Sequence, residues 1–310
     1  MVEGKSYWAT ALQFNRGTDE GFFGLGQHQN RQMNYNGEDV ELAQHNMDIA
    51  IPFLVSTRNY GVLWDNASIT RFGNPTPYEH VGKDLKVTSG GAPGWKAEYY
   101  LGDRLTVSRS EAFIDYQFIK DQVNWPAEVK GQKGQRVVWS GDVTADKSGV
   151  HKFRLYGSSY MKLWADGKPV IDAWRQNWNP WFRNFDLPMK AGKPVSIRIE
   201  WEPGGSYLAL FHNDPLPAAD RQSLWLSSEV GTAIDYYVVT GADMDGVIAG
   251  YRTLTGKSEM MPKWAYGFWQ SRQRYETQEQ LLSVVREYRK RRIPFDVIVQ
   301  DWFYWPEDAW

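Results

Sequence analysis

Cysteine is absent from these 310 residues. Disulfides and thiol chemistry are therefore excluded, and the redox compartment is left open. Neither charge is in excess: 35 basic and 37 acidic residues give a net charge of −2. That balance makes no electrostatic case for nucleic acid or an anionic membrane as partner. No apolar run reaches the length of a membrane span. The opening residues Met1-Val2-Glu3-Gly4-Lys5 lack the apolar segment of a signal peptide. A periplasmic or extracellular location would thus require a signal upstream of Met1.

Aromatic side chains are abundant instead: 16 Trp, 17 Tyr and 14 Phe. Cross-strand pairs in a β-rich core would use them, and so would sugar recognition. The length implies more than one domain.

Residues 262–305 carry the densest pattern. The apolar run 264–270 after Pro262 has the composition of a buried parallel strand. Thr277 followed by Gln280 forms a capping box. Leu281, Val284, Val285 and Tyr288 then fall on one helical face, and Pro294 stops the helix. Residues 295–300 make a second β-branched strand. Strand, helix and strand form one right-handed βαβ unit. Asp301 follows the second strand, at the edge where α/β folds bind ligands. Trp302, Phe303, Tyr304 and Trp305 follow it, and Gln270, Arg272, Arg274 and Tyr275 end the first strand. A carboxylate among aromatic faces suits a sugar, whose C–H groups pack on rings while its hydroxyls donate to the charge.

Residues 1–92 break into short strands. Phe22-Phe23-Gly24-Leu25-Gly26 is punctuated like a bulge. Residues 51–56 and 61–64 flank a hairpin turn. Ahead of them, 27–46 is a long polar connection holding His28, His45 and Asn46. Loops of that length are often functional. The histidine spacing matches no metal motif. The Gly90-to-Gly94 cluster marks a domain boundary. A second all-β pattern follows to about residue 217. Its aromatic stretch 174–185 includes Trp178 and Trp181 and offers either sugar contact or a packed module interface. Strand patterns return at 224–227 and 234–240, so the middle segment reads as an insertion into the first sandwich. Asp243, Asp245 and Gly246 open like a calcium loop, but no glutamate closes it.

Trp264-Ala265-Tyr266-Gly267-Phe268-Trp269-Gln270-Ser271-Arg272-Gln273-Arg274-Tyr275 and Pro294-Phe295-Asp296-Val297-Ile298-Val299-Gln300-Asp301 resemble the opening of the catalytic barrel of glycoside hydrolase family 31. Gly24-Leu25-Gly26-Gln27-His28 and the stretch 51–66 resemble that family's N-terminal β-sandwich. The similarity is greatest to bacterial α-xylosidases acting on xyloglucan fragments. The Glu98-Tyr99-Tyr100 opening, the Leu163-to-Lys168 turn and Glu200-Trp201 resemble a protective-antigen-type module. Some relatives of that module bind calcium through paired aspartates; here the pair is Ala165-Asp166.

The resemblance implies a mainly β chain with a partial α/β end. An N-terminal β-sandwich (1–92 and 218–245) is interrupted by a protective-antigen-type β-sandwich (93–217). The first βαβ of a (β/α)8 barrel (246–310) follows. It implies a retaining, exo-acting α-glycosidase that removes α-xylose from xyloglucan-derived oligosaccharides. The nucleophile and acid/base are expected beyond Trp310, the chain being truncated at both ends. No metal or cofactor is expected, and homo-oligomerisation is left open. The implied substrate contacts are Asp301, Trp302, Phe303, Phe268, Gln270, Arg272 and Asn46, with Trp178 and Trp181 from the insert. Asn46 stands where many members carry aspartate. The rings of Trp302, Phe303 and Phe268 would collide with the hydroxymethyl of glucose, which xylose lacks. The alternatives are a non-catalytic carbohydrate-binding or adhesin-type module, an α-glucosidase, and a purely structural fragment.

Overall fold

Strands dominate, as the short-period alternation requires. The computed structural model describes residues 6–30, 32–74, 76–118, 124–203 and 206–301, in two units, 1–251 and 252–310. Among the described residues no helix is long and apolar enough to cross a membrane.

In the first unit, two four-stranded antiparallel sheets share one core. One runs Trp8–Asn15, Ser223–Gly231, Thr70–Gly73 and Val40–Leu42; the other runs Phe22–Gln27, Ile49–Ser56, Tyr60–Trp64 and Tyr236–Thr240. Alternate residues such as Leu224 and Leu226 point inward to meet Phe22, Leu54, Trp64 and Phe72. The indole of the fully buried Trp64 donates to Ser228 Oγ at 2.8 Å, so its one polar atom is satisfied in the core. The pairing of Ser223–Gly231 and Tyr236–Thr240 with strands of the first 75 residues brings the chain back after the insert. The polar connection contains a strand that its composition hides, Val40–Leu42, which adds to the sheet edge.

Glycines 24 and 26 flank a register shift, with Leu25 in the left-handed region at φ 61°, the bulge the punctuation implied. The turn between Ser56 and Tyr60 places Asn59 at φ 61°, a conformation asparagine tolerates. Helix α1, Met244–Thr255, buries Val247 and stacks Tyr251 on Phe53 at 4.1 Å between centroids. Asp243 accepts the Gly246 N–H at 2.8 Å. The calcium-like aspartate is thus a helix cap.

The insert is a second sandwich. Its larger sheet is ordered Arg104–Glu111, Trp95–Leu101, Gln135–Thr144, Pro194–Glu202, Ser159–Ala165 and Lys168–Arg175; the smaller is ordered Asp115–Tyr116, Leu208–Asn213, Gly149–Gly157 and Trp181–Met189. Trp95, Trp139 and Trp201 are completely buried between them. Asp166 and Gly167, at φ 47° and 75°, make the two-residue turn joining Ala165 to Lys168. Positive φ at both positions is the hairpin signature. Gly90 and Gly91 do the same between Ser89 and Ala92. The glycine cluster forms a turn in a hairpin that joins the insert's sheet. Lys86–Ser89 and Glu79–His80 already pair with insert strands, ahead of residue 93.

In the second unit, Trp269–Arg272 and Val297–Gln300 pair in parallel on either side of α2, Gln278–Lys290. The expected strand at 264–270 is corrected. After Pro262 the chain does not extend but tightens into a 3-10 turn, Lys263–Tyr266. Gly267 ends that turn, and the strand begins only at Trp269. An apolar run alone does not separate a tight turn from a strand. Thr277 Oγ1 accepts the Gln280 N–H at 3.1 Å, capping α2 as expected. The other end closes with Arg292 at φ 55°, Ile293 N–H donating to Tyr288 O and Arg292 N–H to Arg289 O. This is a Schellman closure with arginine where glycine is usual, and it precedes Pro294.

Candidate functional site

In the second unit the parallel register decides which residues meet. Arg272 is level with Gln300, and Asp301 comes immediately after, exposed at the C-terminal edge. Gln270 accepts from the Tyr288 hydroxyl of α2 at 2.6 Å, and Gln300 Nε2 donates to Tyr275 O at 3.1 Å. Both side chains therefore point to the helix side. Alternation carries Asp301 to the opposite face, with Ser271 and Trp269. That is the face a barrel turns inward, because its helices pack outside.

This geometry sets two of the expected contacts apart from Asp301. Gln270 is engaged by α2 rather than by the face bearing Asp301. Phe268 lies at the N-terminal end, its carbonyl accepting from Asp296 and Val297 N–H and its ring 6.1 Å from that of Tyr288. About five residues of extended chain, roughly 16 Å at 3.3 Å per residue, separate it from Asp301. The later start of the strand is the reason: it moves residue 268 off the ligand edge. Arg272 reaches that edge but, two residues after Gln270, on the helix-side face, its guanidinium 5.9 Å from the Tyr275 ring. Trp302 and Phe303 lie outside the described residues.

In the first unit the connection 27–46 is held by the insert. Arg175 Nη2 donates to Gln29 Oε1 at 2.5 Å, and Gln29 Nε2 donates to the Asn46 carbonyl at 3.3 Å. Asn179 Nδ2 contacts Met47 Sδ at 3.1 Å, and the Trp181 ring sits edge-on to His45 with centroids 5.6 Å apart. His45 also pairs with Glu41 at 3.4 Å. Trp181 is thus half-buried in a module interface, while Trp178 stands 68% exposed and Trp174 53% exposed. The Asn46 side chain is exposed beside this contact. Arg175 and Gln29 leave no signal in the sequence because their partnership spans 146 positions.

Behind the connection, Glu20 is buried at 4% exposure. It accepts from Tyr60 Oη at 2.6 Å, from Gly17 N–H at 2.9 Å and from Ser56 Oγ, with Arg58 Nε 3.7 Å away. Burial pushes its carboxyl up, but those donors and the guanidinium outweigh it and hold the group below the usual carboxylate range. The same contact, with burial, pushes the Tyr60 phenol up to about 12. Two clefts, of about 380 and 350 Å³, separate the first sandwich from the insert, and both are lined by Asp39 and Asn74. In the insert, Glu111 accepts from Tyr99, Tyr116, Arg109 and the Trp139 indole, a core network rather than a ligand site.

Comparison with known proteins agrees with this architecture. Residues 2–72 match the glycosyl hydrolase 31 N-terminal galactose mutarotase-like domain. Residues 92–210 match the PA14 domain, and 258–310 the glycosyl hydrolases family 31 TIM-barrel domain. The crystal structure of a GH31 α-xylosidase from Xanthomonas citri superimposes with TM-score 0.93 at 47% identity, over 100% of this chain and 34% of that one. An α-xylosidase of Saccharolobus solfataricus is 53% identical over 90 residues, 29% of this chain and 12% of its own. Alpha-xylosidase 1 of Arabidopsis thaliana is 36% identical over 121 residues, 38% of this chain and 13% of its own. The chain therefore spans only a minor part of the proteins it matches.

Proposed function

We propose, from the premise that the chain carries the N-terminal and barrel domains of glycoside hydrolase family 31 with a PA14 domain between them, that it is part of an α-xylosidase. The enzyme is a retaining, exo-acting glycosidase that releases non-reducing-end α-xylose from oligosaccharides, xyloglucan fragments among them. Such a reaction uses two carboxylates about 5–5.5 Å apart, one as nucleophile and one as acid/base. We give Asp301 neither role. It holds the hydroxyls of the terminal sugar by charge-assisted hydrogen bonds at the strand edge.

The observation that carries this reading is the placement of an exposed carboxylate one residue past a parallel strand, on the face away from α2. Hydrolysis of an aryl α-xyloside by the complete enzyme tests it. Removing a charged acceptor for sugar hydroxyls costs about 3 kcal/mol, so Asp301→Ala lowers kcat/KM roughly a hundredfold. Unchanged kcat/KM in a folded variant sinks the assignment.

Preference for xylose over glucose rests on bulk next to Asp301 in the sequence, Trp302 and Phe303. Trp302→Ile raises the ratio of α-glucosidase to α-xylosidase activity by about tenfold, the scale on which a pocket discriminates one small group. An unchanged ratio removes the steric argument.

The exposure of Trp174 and Trp178 favours a second role, glycan binding by the insert itself. Calorimetry of this chain with xyloglucan oligosaccharides, compared with Trp178→Ala, separates it from binding in the catalytic cleft. Equal affinities would exclude Trp178 from glycan contact.

A further inference from the structure

The smaller sheet of the insert buries two histidines for which glycoside hydrolysis has no task. His151 lies on Gly149–Gly157 and His212 on the neighbouring Leu208–Asn213, and both side chains are fully enclosed. Their outer ring nitrogens are committed as donors. His151 Nε2 faces the Lys147 carbonyl at 2.9 Å, and His212 Nδ1 faces Asp84 Oδ2 at 2.5 Å. The inner nitrogens, His151 Nδ1 and His212 Nε2, are 2.8 Å apart. With the outer positions donating, two neutral rings would aim lone pairs at each other. A cation must lie between them, either a proton or a metal ion.

A third donor decides between these. Asp214 Oδ1 is 3.6 Å from His151 Nδ1 and 3.8 Å from His212 Nε2. The point equidistant from the three atoms is about 2.0 Å from each, the distance zinc keeps to imidazole nitrogen and carboxylate oxygen. A proton would satisfy the two nitrogens and leave Asp214 Oδ1 at ion-pair distance only, its other oxygen being held by Lys147 Nζ. We propose that His151, His212 and Asp214 form a site for a divalent transition metal of zinc type. Asp84 and the Lys147 carbonyl are the outer partners that fix the imidazoles, the arrangement that tunes protein metal sites. Lys147 Nζ, 2.5 Å from Asp214 Oδ2, holds the carboxylate so that its other oxygen turns inward.

Capture requires the imidazoles to turn apart slightly, since two nitrogens on a tetrahedral ion lie about 3.3 Å from each other. Asp214 also lines the cleft of about 380 Å³, which supplies access and an open coordination position. The location gives the site a purpose. Asp84 lies where the chain has just entered the insert's sheets, and His212 and Asp214 lie where it leaves them. A metal here clasps the root of the insert.

The test uses the chain as it stands, freed of metal with a chelator. Zinc is titrated in competition with a chromophoric chelator, and cobalt(II) is followed by its visible spectrum. The expected result is one ion per chain, a raised Tm, and cobalt bands of a nitrogen–oxygen site. Asp214→Asn, isosteric and half-exposed, weakens zinc binding at least tenfold. Asp84→Asn weakens it by about 10–100-fold through the imidazole it orients. No stoichiometric binding, or binding that Asp214→Asn leaves intact, overturns the site and leaves a proton-sharing histidine pair. Should a variant fail to fold, the cobalt spectrum of the unaltered chain decides alone: its absence overturns the proposal.

Discussion

Glu20 shows how one residue sets the behaviour of a loop. Three donors and Arg58 stabilise its charged form against the penalty of burial. Its folded pKa lies below the ordinary value near 4.5. The stability it contributes is therefore fully present above that value and is lost as pH falls through the depressed one. Glu20→Gln keeps the shape but loses the charge. It should destabilise the chain by about 2 kcal/mol at pH 7, the scale of hydrogen bonds to a charged group. The gap should narrow below about pH 4 as Glu20 itself protonates. Denaturant midpoints for both proteins at pH 7 and pH 3.5 check this; a gap that does not shrink contradicts it. Nothing in the sequence marks Glu20, because Ser56 and Tyr60 lie 36 and 40 positions away.

At the scale of elements, local chemistry was legible wherever the backbone demanded a particular residue. The bulge at Gly24 and Gly26, the Thr277 cap and the turn at Asp166-Gly167 all follow from residue type. Gly26 is the most constrained of these, at φ 99° and with a Cβ that would strike the Ile49 carbonyl. Gly26→Ala combines left-handed strain with a backbone clash and should cost at least about 2 kcal/mol. That is a fall in Tm of several degrees for a unit of this size. Gly90 is the control: its Cβ would meet nothing within 4 Å at φ 57°, so Gly90→Asn should stay within about 0.5 kcal/mol. Equal effects at the two glycines would disprove the clash. The strand expected at 264–270 failed for a corresponding reason. Its apolar residues serve a 3-10 turn as well as a strand, and only the register with Val297–Gln300 distinguishes them.

At the scale of the molecule, the insert braces the sandwich it interrupts. Arg175 holds Gln29, which holds the Asn46 backbone, and Trp181 covers His45. Arg175→Ala should release the connection 27–46 while leaving both cores folded. A lost charge-assisted bond of about 1.5 kcal/mol corresponds to roughly tenfold faster amide exchange across that segment. Exchange that stays at the rate of the unaltered chain would show that the bracing contributes nothing. This contact also explains why the aromatic stretch 174–185 allowed two readings. Trp178 is exposed surface on a loop, and Trp181, three positions on, opens the next strand and is interface.

The sequence alone determined the βαβ unit, the two β-sandwich patterns and the strand-end position of Asp301. Each of these follows from periodicity, turn chemistry or a local motif within a few tens of residues. Tertiary structure alone decided that Gln270 serves α2, that Phe268 precedes its strand, far from Asp301, and that the insert's sheets begin near Glu79. It alone brought His151, His212, Asp84 and Asp214 together across as many as 128 positions. Sheet register is a property of two strands at once, and a side chain's partner across a sheet leaves no trace in the residues beside it.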